Sequence, residues 1–272
     1  MNNIVGQVNL LKNLESYNLD NFPHSVVLQG ERGSGKHLVS SYISKEILGI
    51  PLIDITDKIS FETINNIYRN PSPTIYLINV DDLVEKDQNS LLKFIEEPLK
   101  TIFIILLCED ASSLLLTVYN RCVVFEMESY SQDELEGFIS DDVTDKDLVL
   151  KVVKTPGKLK QLNVTNISNL VDLCDKIVNK IEFASYSNTL SIADKINYKD
   201  NYDKFDIDVF FDTLILKLRN KYIEDNNKKY FDMYVLTSEY RKRLIDKRLN
   251  KELFMQNYLT NLWKLCKKKC SL

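Results

Sequence analysis

The sequence predicts an α/β protein: a doubly wound core on a parallel sheet, followed by an all-helical remainder. Three observations predict it. Short apolar runs of strand length alternate with helix-length amphipathic segments up to about residue 126, the pattern of parallel strands covered on both faces. Beyond about residue 128 the strand-type runs stop. Three of only seven glycines, Gly30, Gly33 and Gly35, crowd into six positions between a strand-type run and a helix-type one, which marks that junction as special.

The elements follow in order. Val8 to Tyr17 sets Leu10, Leu11 and Leu14 on one helical face, so a helix precedes the first strand, Ser25 to Gln29. Lys36 to Leu48 reads as helix, Leu52 to Ile55 as strand, and Phe61 to Arg69 as a helix closed by Asn70-Pro71-Ser72-Pro73. Thr74 to Val80 is a buried-type strand, Gln88 to Glu97 a helix stopped by Pro98, and Thr101 to Leu107 another buried strand. Ser112 to Tyr119 is helix-like and leads into the strand Cys122 to Glu126. Ser131, with Asp133 and Glu134 behind it, is an N-cap with an acidic first turn. Farther on, Phe210, Leu214 and Leu218, backed by Phe211 and Ile215, form one helical stripe, and Phe254, Tyr258, Leu262 and Leu265 form another. Both are read as helix-bundle core. Asn197 to Asp206 is the loosest linker candidate.

Composition bounds the class. At 272 residues, 44% hydrophobic and 27% charged, the chain is an ordinary globular protein long enough for two or three domains, which excludes disorder, collagen and small disulfide scaffolds. Its longest apolar runs, such as Ile102 to Cys108, fall far short of the roughly 20 residues that cross a bilayer. Met1-Asn2-Asn3-Ile4 has no basic n-region, so a soluble, cytoplasmic protein without a membrane partner is expected. Five scattered cysteines and two histidines, His24 and His37, argue for a reducing compartment and against a structural zinc site, and no metal is expected. The net charge of −4 hides a polarity: residues 228 to 272 sum to +8 and the rest to about −12. The basic end is a candidate face for nucleic acid, although Lys267-Lys268-Lys269 taken alone is the pattern of a solvated tail.

The chemistry concentrates at Gly30-Glu31-Arg32-Gly33-Ser34-Gly35-Lys36, a G-x-x-x-x-G-K loop between strand and helix. Glycines there let successive N–H groups turn around a phosphate, the helix N-terminus adds its dipole, and Lys36 reaches the β- and γ-phosphates. His37 stands where a Ser or Thr hydroxyl would meet Mg²⁺, and imidazole is a poor partner for that hard cation. Hydrolysis also needs carboxylates at the end of the third strand. A strand ending at Val80 would place Asp81 and Asp82 there; one ending two or three residues earlier would place Ile78 and Asn79, which cannot serve. The strand pattern leaves both registers open.

A resemblance covers nearly the whole chain. Ile4-Val5-Gly6-Gln7, Phe22-Pro23-His24, the helix Asn89 to Pro98 (N-S-L-L-K-F-I-E-E-P), Leu115 to Cys122 (L-L-T-V-Y-N-R-C), Thr155-Pro156-Gly157 and Arg248-Leu249-Asn250 occur in that order. They resemble the motifs of AAA+ clamp-loader subunits, most closely the δ′ subunits of bacterial DNA polymerase III. The resemblance implies an AAA+ core at residues 1–128, a small helical lid at 129–164 and a helical collar at 165–272. It puts Val5 at the adenine side of the pocket with ATP or ADP as the ligand class, Lys160 at the lid arginine position, and Cys108 and Glu109 near the γ-phosphate sensor. Counted back from Asn89, the Mg²⁺-shell and catalytic acids fall on Ile78 and Asn79, which implies a subunit without its own hydrolysis. Arg121 matches the arginine that reaches a neighbouring subunit's nucleotide. The implied partners are other clamp-loader subunits, a sliding clamp and primer–template DNA. The chain lacks the family's cysteine-rich zinc module, which implies a divergent form, cytoplasmic or, for a viral source, acting in the host cytoplasm. Two alternatives stay open: an active motor subunit of the γ or replication-factor-C small-subunit type using Lys36 with Asp81 and Asp82, and an AAA+ adaptor or initiator-loading ATPase.

Overall fold

A computed structural model describes residues 4–69, 71–81, 83–139, 143, 146–161, 164–197, 205–244 and 249–267. Two compact units emerge: Met1–Gly137 with Thr155–Lys158, and Phe138–Lys154 with Leu159–Leu272.

The first unit is built on five parallel strands, β1 (Ser25–Gln29), β2 (Leu52–Asp54), β3 (Thr74–Asn79), β4 (Ile102–Cys108) and β5 (Val123–Glu126), in the spatial order β2-β3-β4-β1-β5. Strand β1, between β4 and β5, pairs Val26 with Ile105 on one side and with Val123 on the other. The pleat turns alternate residues of each apolar run to opposite faces, which is why these strands need cover on both. On one face Val27, Ile78, Ile104 and Leu106 pack against Ile64 of α3 (Phe61–Arg69), Leu91 and Phe94 of α4 (Glu85–Glu96) and Val118 of α5 (Leu116–Tyr119). On the other, Val26, Leu28, Ile105 and Leu107 meet Leu10 and Leu14 of α1 (Val8–Leu14), together with Val39 of α2 (Lys36–Tyr42) and Ile43 beyond it.

Several boundaries differ from the sequence expectation. The expected helix from Lys36 to Leu48 is α-helical only to Tyr42, continues as a π-helical turn over Ile43–Leu48, and stops at Gly49 in the left-handed region with φ 64°. Helix α4 begins at Glu85, three residues before the expected Gln88, because Glu85 and Asp87 suit a helix N-terminus even without a side-chain cap. At α6 (Gln132–Glu136) the expected cap is present as a full capping box: the Glu134 amide donates to Ser131 Oγ at 3.3 Å, and the Ser131 amide donates back to Glu134 Oε2 at 2.8 Å.

The second unit is helical: α7 (Lys146–Val152), the end of α8 (Pro156–Gln161), α9 (Val164–Lys180), α10 (Tyr186–Leu190), α11 (Ile207–Asp225), α12 (Lys228–Arg243) and α13 (Lys251–Lys267). Both predicted stripes are core: Phe210, Phe211, Leu214, Leu218, Phe254, Tyr258 and Leu262 are buried, with Ile215 and Leu265 half-buried. Tyr258 is the hub, its ring 4.7 Å from Phe211 and 5.2 Å from Tyr240, and its hydroxyl 2.9 Å from Thr237 Oγ1. That bond supplies the partner a buried phenol requires. One strand pair departs from the all-helical expectation: β6 (Ile196–Asn197) pairs in parallel with β7 (Phe205–Asp206) at the two ends of the predicted linker. Residues 198–204 between them, like Asp82, Arg248, Lys268, Lys269 and Cys270, lie outside the described residues. Among the described residues no helix is long and apolar enough to cross a membrane.

Candidate functional site

The glycine-rich loop leaves the C-terminal end of β1, where that strand's two neighbours diverge in sequence, the position at which open parallel sheets bind ligands. Gly33 at φ 83° and Gly35 at φ 94° adopt conformations costly for any side chain, and Gly35 is the residue just before α2. Gly30 is required for a different reason: a Cβ there would lie 2.6 Å from Met127 Cβ.

Every carbonyl of the loop from Gly30 to Ser34 has a donor. Lys36 Nζ donates to Gly30 O and, at 3.1 Å, to Glu31 O. Thr155 Oγ1 donates to Arg32 O at 2.9 Å, the Gly157 amide to Gly33 O at 2.9 Å, and Tyr130 OH to Ser34 O at 2.7 Å. Burial pushes the Tyr130 phenol up, so it stays a proton donor across the physiological range. With its carbonyls held by these partners and the leading N–H groups of α2 lacking intrahelical acceptors, the loop is polarised to receive an anion. The Ser34 hydroxyl, in a residue only 3% exposed, has no hydrogen-bond partner among the described residues. A phosphate oxygen is the kind of acceptor that group lacks. Burial also lowers the Lys36 ammonium pKa, opposed by Glu109 first and then Asp81, Cys108 and Glu31, so added negative charge at the loop would favour the protonated amine.

The metal side of the site is built differently. Strand β3 ends at Asn79, with the Val80 amide still bonded to Leu107 O, between the two registers considered. Ile78 is fully buried in the apolar cluster beneath α4 and Val80 is 1% exposed. The Asn79 amide donates to Thr56 Oγ1 at 2.9 Å. The first carboxylate past the strand, Asp81, is occupied structurally: it accepts from the Glu109 amide at 2.9 Å and from Ser113 Oγ at 3.3 Å. Cys108 is buried at the end of β4, and His37 is exposed on α2. Among the described residues no group of three metal-ligating side chains comes together. Lys36, Ser34 and the loop amides have the chemistry to receive the phosphates of a nucleotide, while Ile78 and Asn79 offer no carboxylate to a hard divalent cation and Asp82 lies outside the described residues.

A family model described as "DNA polymerase III, delta subunit" matches residues 53–131. DNA polymerase III subunit gamma of Buchnera aphidicola subsp. Schizaphis graminum is 27% identical over 170 residues, covering 50% of this chain and 47% of the relative. DNA polymerase III subunit delta′ of Haemophilus influenzae is 27% identical over 101 residues, covering 37% of this chain and 30% of the relative. The chain is thus similar, over part of its length, to clamp-loader subunits of DNA polymerase III. It spans less than half the length of these two relatives. A solved structure of a DNA polymerase III gamma subunit-related protein from Thermotoga maritima is 13% identical with a TM-score of 0.49, over 96% of this chain and 100% of that one.

The remaining residues read as AAA+ positions lie as follows. Val5 is 38% exposed, next to the left-handed pair Gly6 and Gln7. The Gln7 amide side chain clasps the Glu128 backbone, donating to its carbonyl at 2.9 Å and accepting from its N–H at 2.7 Å, while the Glu128 carboxylate caps α1 through the amides of Asn9 and Leu10. Arg121 follows α5 with its side chain 44% exposed; Nη1 donates to Thr117 O at 2.9 Å, and Nε meets Glu96 Oε1 at 3.0 Å. Lys160 lies in the helical unit with its ammonium 5.2 Å from the Phe138 ring centroid. Tyr130 and Thr155 are the site residues that residue-type reasoning did not assign a bond. Thr155-Pro156-Gly157 stood out as a motif, whereas nothing in the sequence around Tyr130 points to the loop.

Cys122, beside Arg121, is not a reactive thiol. Burial pushes it up to about 12, so at pH 8 about one molecule in 10⁴ carries the thiolate. Iodoacetamide labelling of Cys122, followed by peptide mass spectrometry, is expected to run on the order of 10³-fold slower than for an ordinary thiol and to accelerate with pH up to about 12.

Proposed function

We propose that this protein is a clamp-loader subunit of the δ′ kind: an AAA+ core at 1–128, a lid at 129–164 and a collar at 165–272. It holds ATP or ADP phosphates at Gly30, Gly33, Ser34, Gly35 and Lys36 without hydrolysing them, and presents Arg121 to the nucleotide of a neighbouring subunit. Its partners are other clamp-loader subunits, a sliding clamp and primer–template DNA. The observation that carries this reading is a split site: the loop keeps the positive-φ glycines and the lysine of a phosphate cradle, while β3 ends in buried Ile78 and in Asn79. Catalysis of phosphoryl transfer rests on positioning and charge stabilisation around a metal, so a cradle without those acids binds but does not turn over.

Titration of the purified full chain with a fluorescent ATP analogue, with and without Mg²⁺, tests this. Binding that changes little with Mg²⁺, weakens about tenfold or more in Lys36→Ala, and yields no released phosphate is the expected result. Phosphate release abolished by Lys36→Ala would instead establish the active motor reading, which the electrostatic reach of Asp81 to Lys36 and the similarity to a γ subunit favour.

A further inference from the structure

The helical unit contains a cleft of about 360 Å³ whose walls come from three helices. Lys151 and Lys154 supply one wall from α7 and the residues just after it. Asp212, Ile215 and Arg219 line another from α11, where their spacing of three and four residues places them on one helical face. Tyr234 closes the third side from α12. The apolar floor includes Val152 and Leu216.

Charge within the cleft is unbalanced. Its one lining carboxylate, Asp212, is taken by Arg241, whose Nε and Nη2 meet it at 2.7 and 3.1 Å while Nη1 meets Asp208 at 2.9 Å. Three other lysines of this unit do have acidic partners: Lys217 pairs with Asp175, Lys221 with Asp225 and Lys229 with Glu182. Lys151, Lys154 and Arg219 make no ion pair among the described residues. Three cations facing one concavity repel one another unless an anion joins them. A volume in the range of ligand pockets, a guanidinium that can grip a phosphate with two N–H bonds, and a tyrosine ring against an apolar floor together match a phosphodiester strand with a base or sugar beside it.

From this juxtaposition we infer that the Lys151–Lys154–Arg219–Tyr234 cleft binds the backbone phosphates of a single-stranded nucleic acid. The choice of nucleic acid among phosphate-bearing ligands rests on the replication reading above. The chain has a net charge of −4, so attraction to a polyanion must come from local basic regions, this cleft and the +8 segment 228–272, and variants of the cleft alone separate the two.

Fluorescence anisotropy of a labelled oligothymidylate with the full chain, from 50 to 200 mM salt, provides the test. A three-phosphate footprint predicts a salt slope near −2 and about 20-fold weakening over that range. The triple variant Lys151→Gln, Lys154→Gln, Arg219→Gln is expected to bind at least about tenfold more weakly at 50 mM and to lose most of the slope, each single change removing up to about one unit. Lys12→Gln with Lys45→Gln, exposed lysines of the other unit, should leave binding unchanged. Circular dichroism and the thermal midpoint report whether the triple variant folds; if it does not, the three single variants carry the slope measurement. Unchanged oligonucleotide binding in the folded variants, or absence of binding by the wild-type chain, overturns the proposal. Displacement by millimolar inorganic phosphate would overturn it too, by making the cleft a small-anion site. ATP-analogue binding at Lys36 is measured on the same samples, so a failed cleft with an intact loop separates this inference from the δ′-type reading.

Discussion

Under the proposed role, Arg121→Ala, placed in an assembly reconstituted with clamp-loader subunits, is expected to lower ATP turnover about a thousandfold at unchanged nucleotide affinity. The reasoning starts from what Arg121 now holds. Its guanidinium bonds Thr117 O and Glu96, and both side chains of that ion pair are nearly half exposed. Pairs of this kind contribute about 0–1 kcal/mol, so exchanging Glu96 for a phosphate of a neighbouring subunit costs little, and the substitution should barely change the chain's own stability. Against a transferring phosphoryl group the same planar fork acts in a dry, charge-developing site, where an arginine supplied from outside is worth about 10³- to 10⁵-fold. Arg121→Lys should recover little, because an ammonium cannot reproduce the two parallel bonds. Turnover equal to wild type in both variants would remove Arg121 from the reaction and leave it as the local partner of Glu96.

Gly157→Ala is expected to cost roughly 2 kcal/mol or more of stability in urea unfolding. A Cβ at Gly157 would stand 2.6 Å from Gly33 Cα, 2.8 Å from its carbonyl oxygen and 3.1 Å from its carbonyl carbon, all backbone atoms of the phosphate loop. Neither backbone can yield without breaking the Gly157 amide bond to Gly33 O or the Thr155 bond to Arg32 O. Each lost bond leaves a polar group to be satisfied again, at about 1–3 kcal/mol if it stays buried. Gly49→Ala provides the contrast: nothing lies within 4 Å of its Cβ, so only its left-handed backbone at φ 64° is penalised, by about 1 kcal/mol. If Gly157→Ala unfolds at the same urea concentration as Gly49→Ala or later, the close approach of the two glycines is wrong.

Much of the fold was legible along the chain because the relevant signals are local. Fully apolar runs such as Ile102 to Leu107 read as strands buried on both faces, Ser131 and Glu134 read as a helix start, and the stripes through Phe210 and Tyr258 read as helical core. The π-helical end of α2 was not legible, since α- and π-turns place apolar residues with nearly the same spacing over six positions. The early start of α4 was missed because Glu85 and Lys86 continue no apolar period, and the β6–β7 pair because two residues on each side carry no pattern.

The candidate site divides the same way. The order of the glycines, Lys36 and the junction of strand and helix determine a loop with the geometry of a phosphate cradle, because positive φ and an N-terminal helix dipole depend only on residues within a few positions of one another. What holds the loop was decided by the tertiary structure: Tyr130 reaches Ser34 across 96 positions and Thr155 reaches Arg32 across 123. The unpaired cations of the helical cleft come from helices far apart in the chain and are joined by the same kind of packing. Periodicity and turn chemistry are written into neighbouring residues, whereas the partner of a carbonyl or the counter-charge of a lysine depends on which distant segments the chain path brings together.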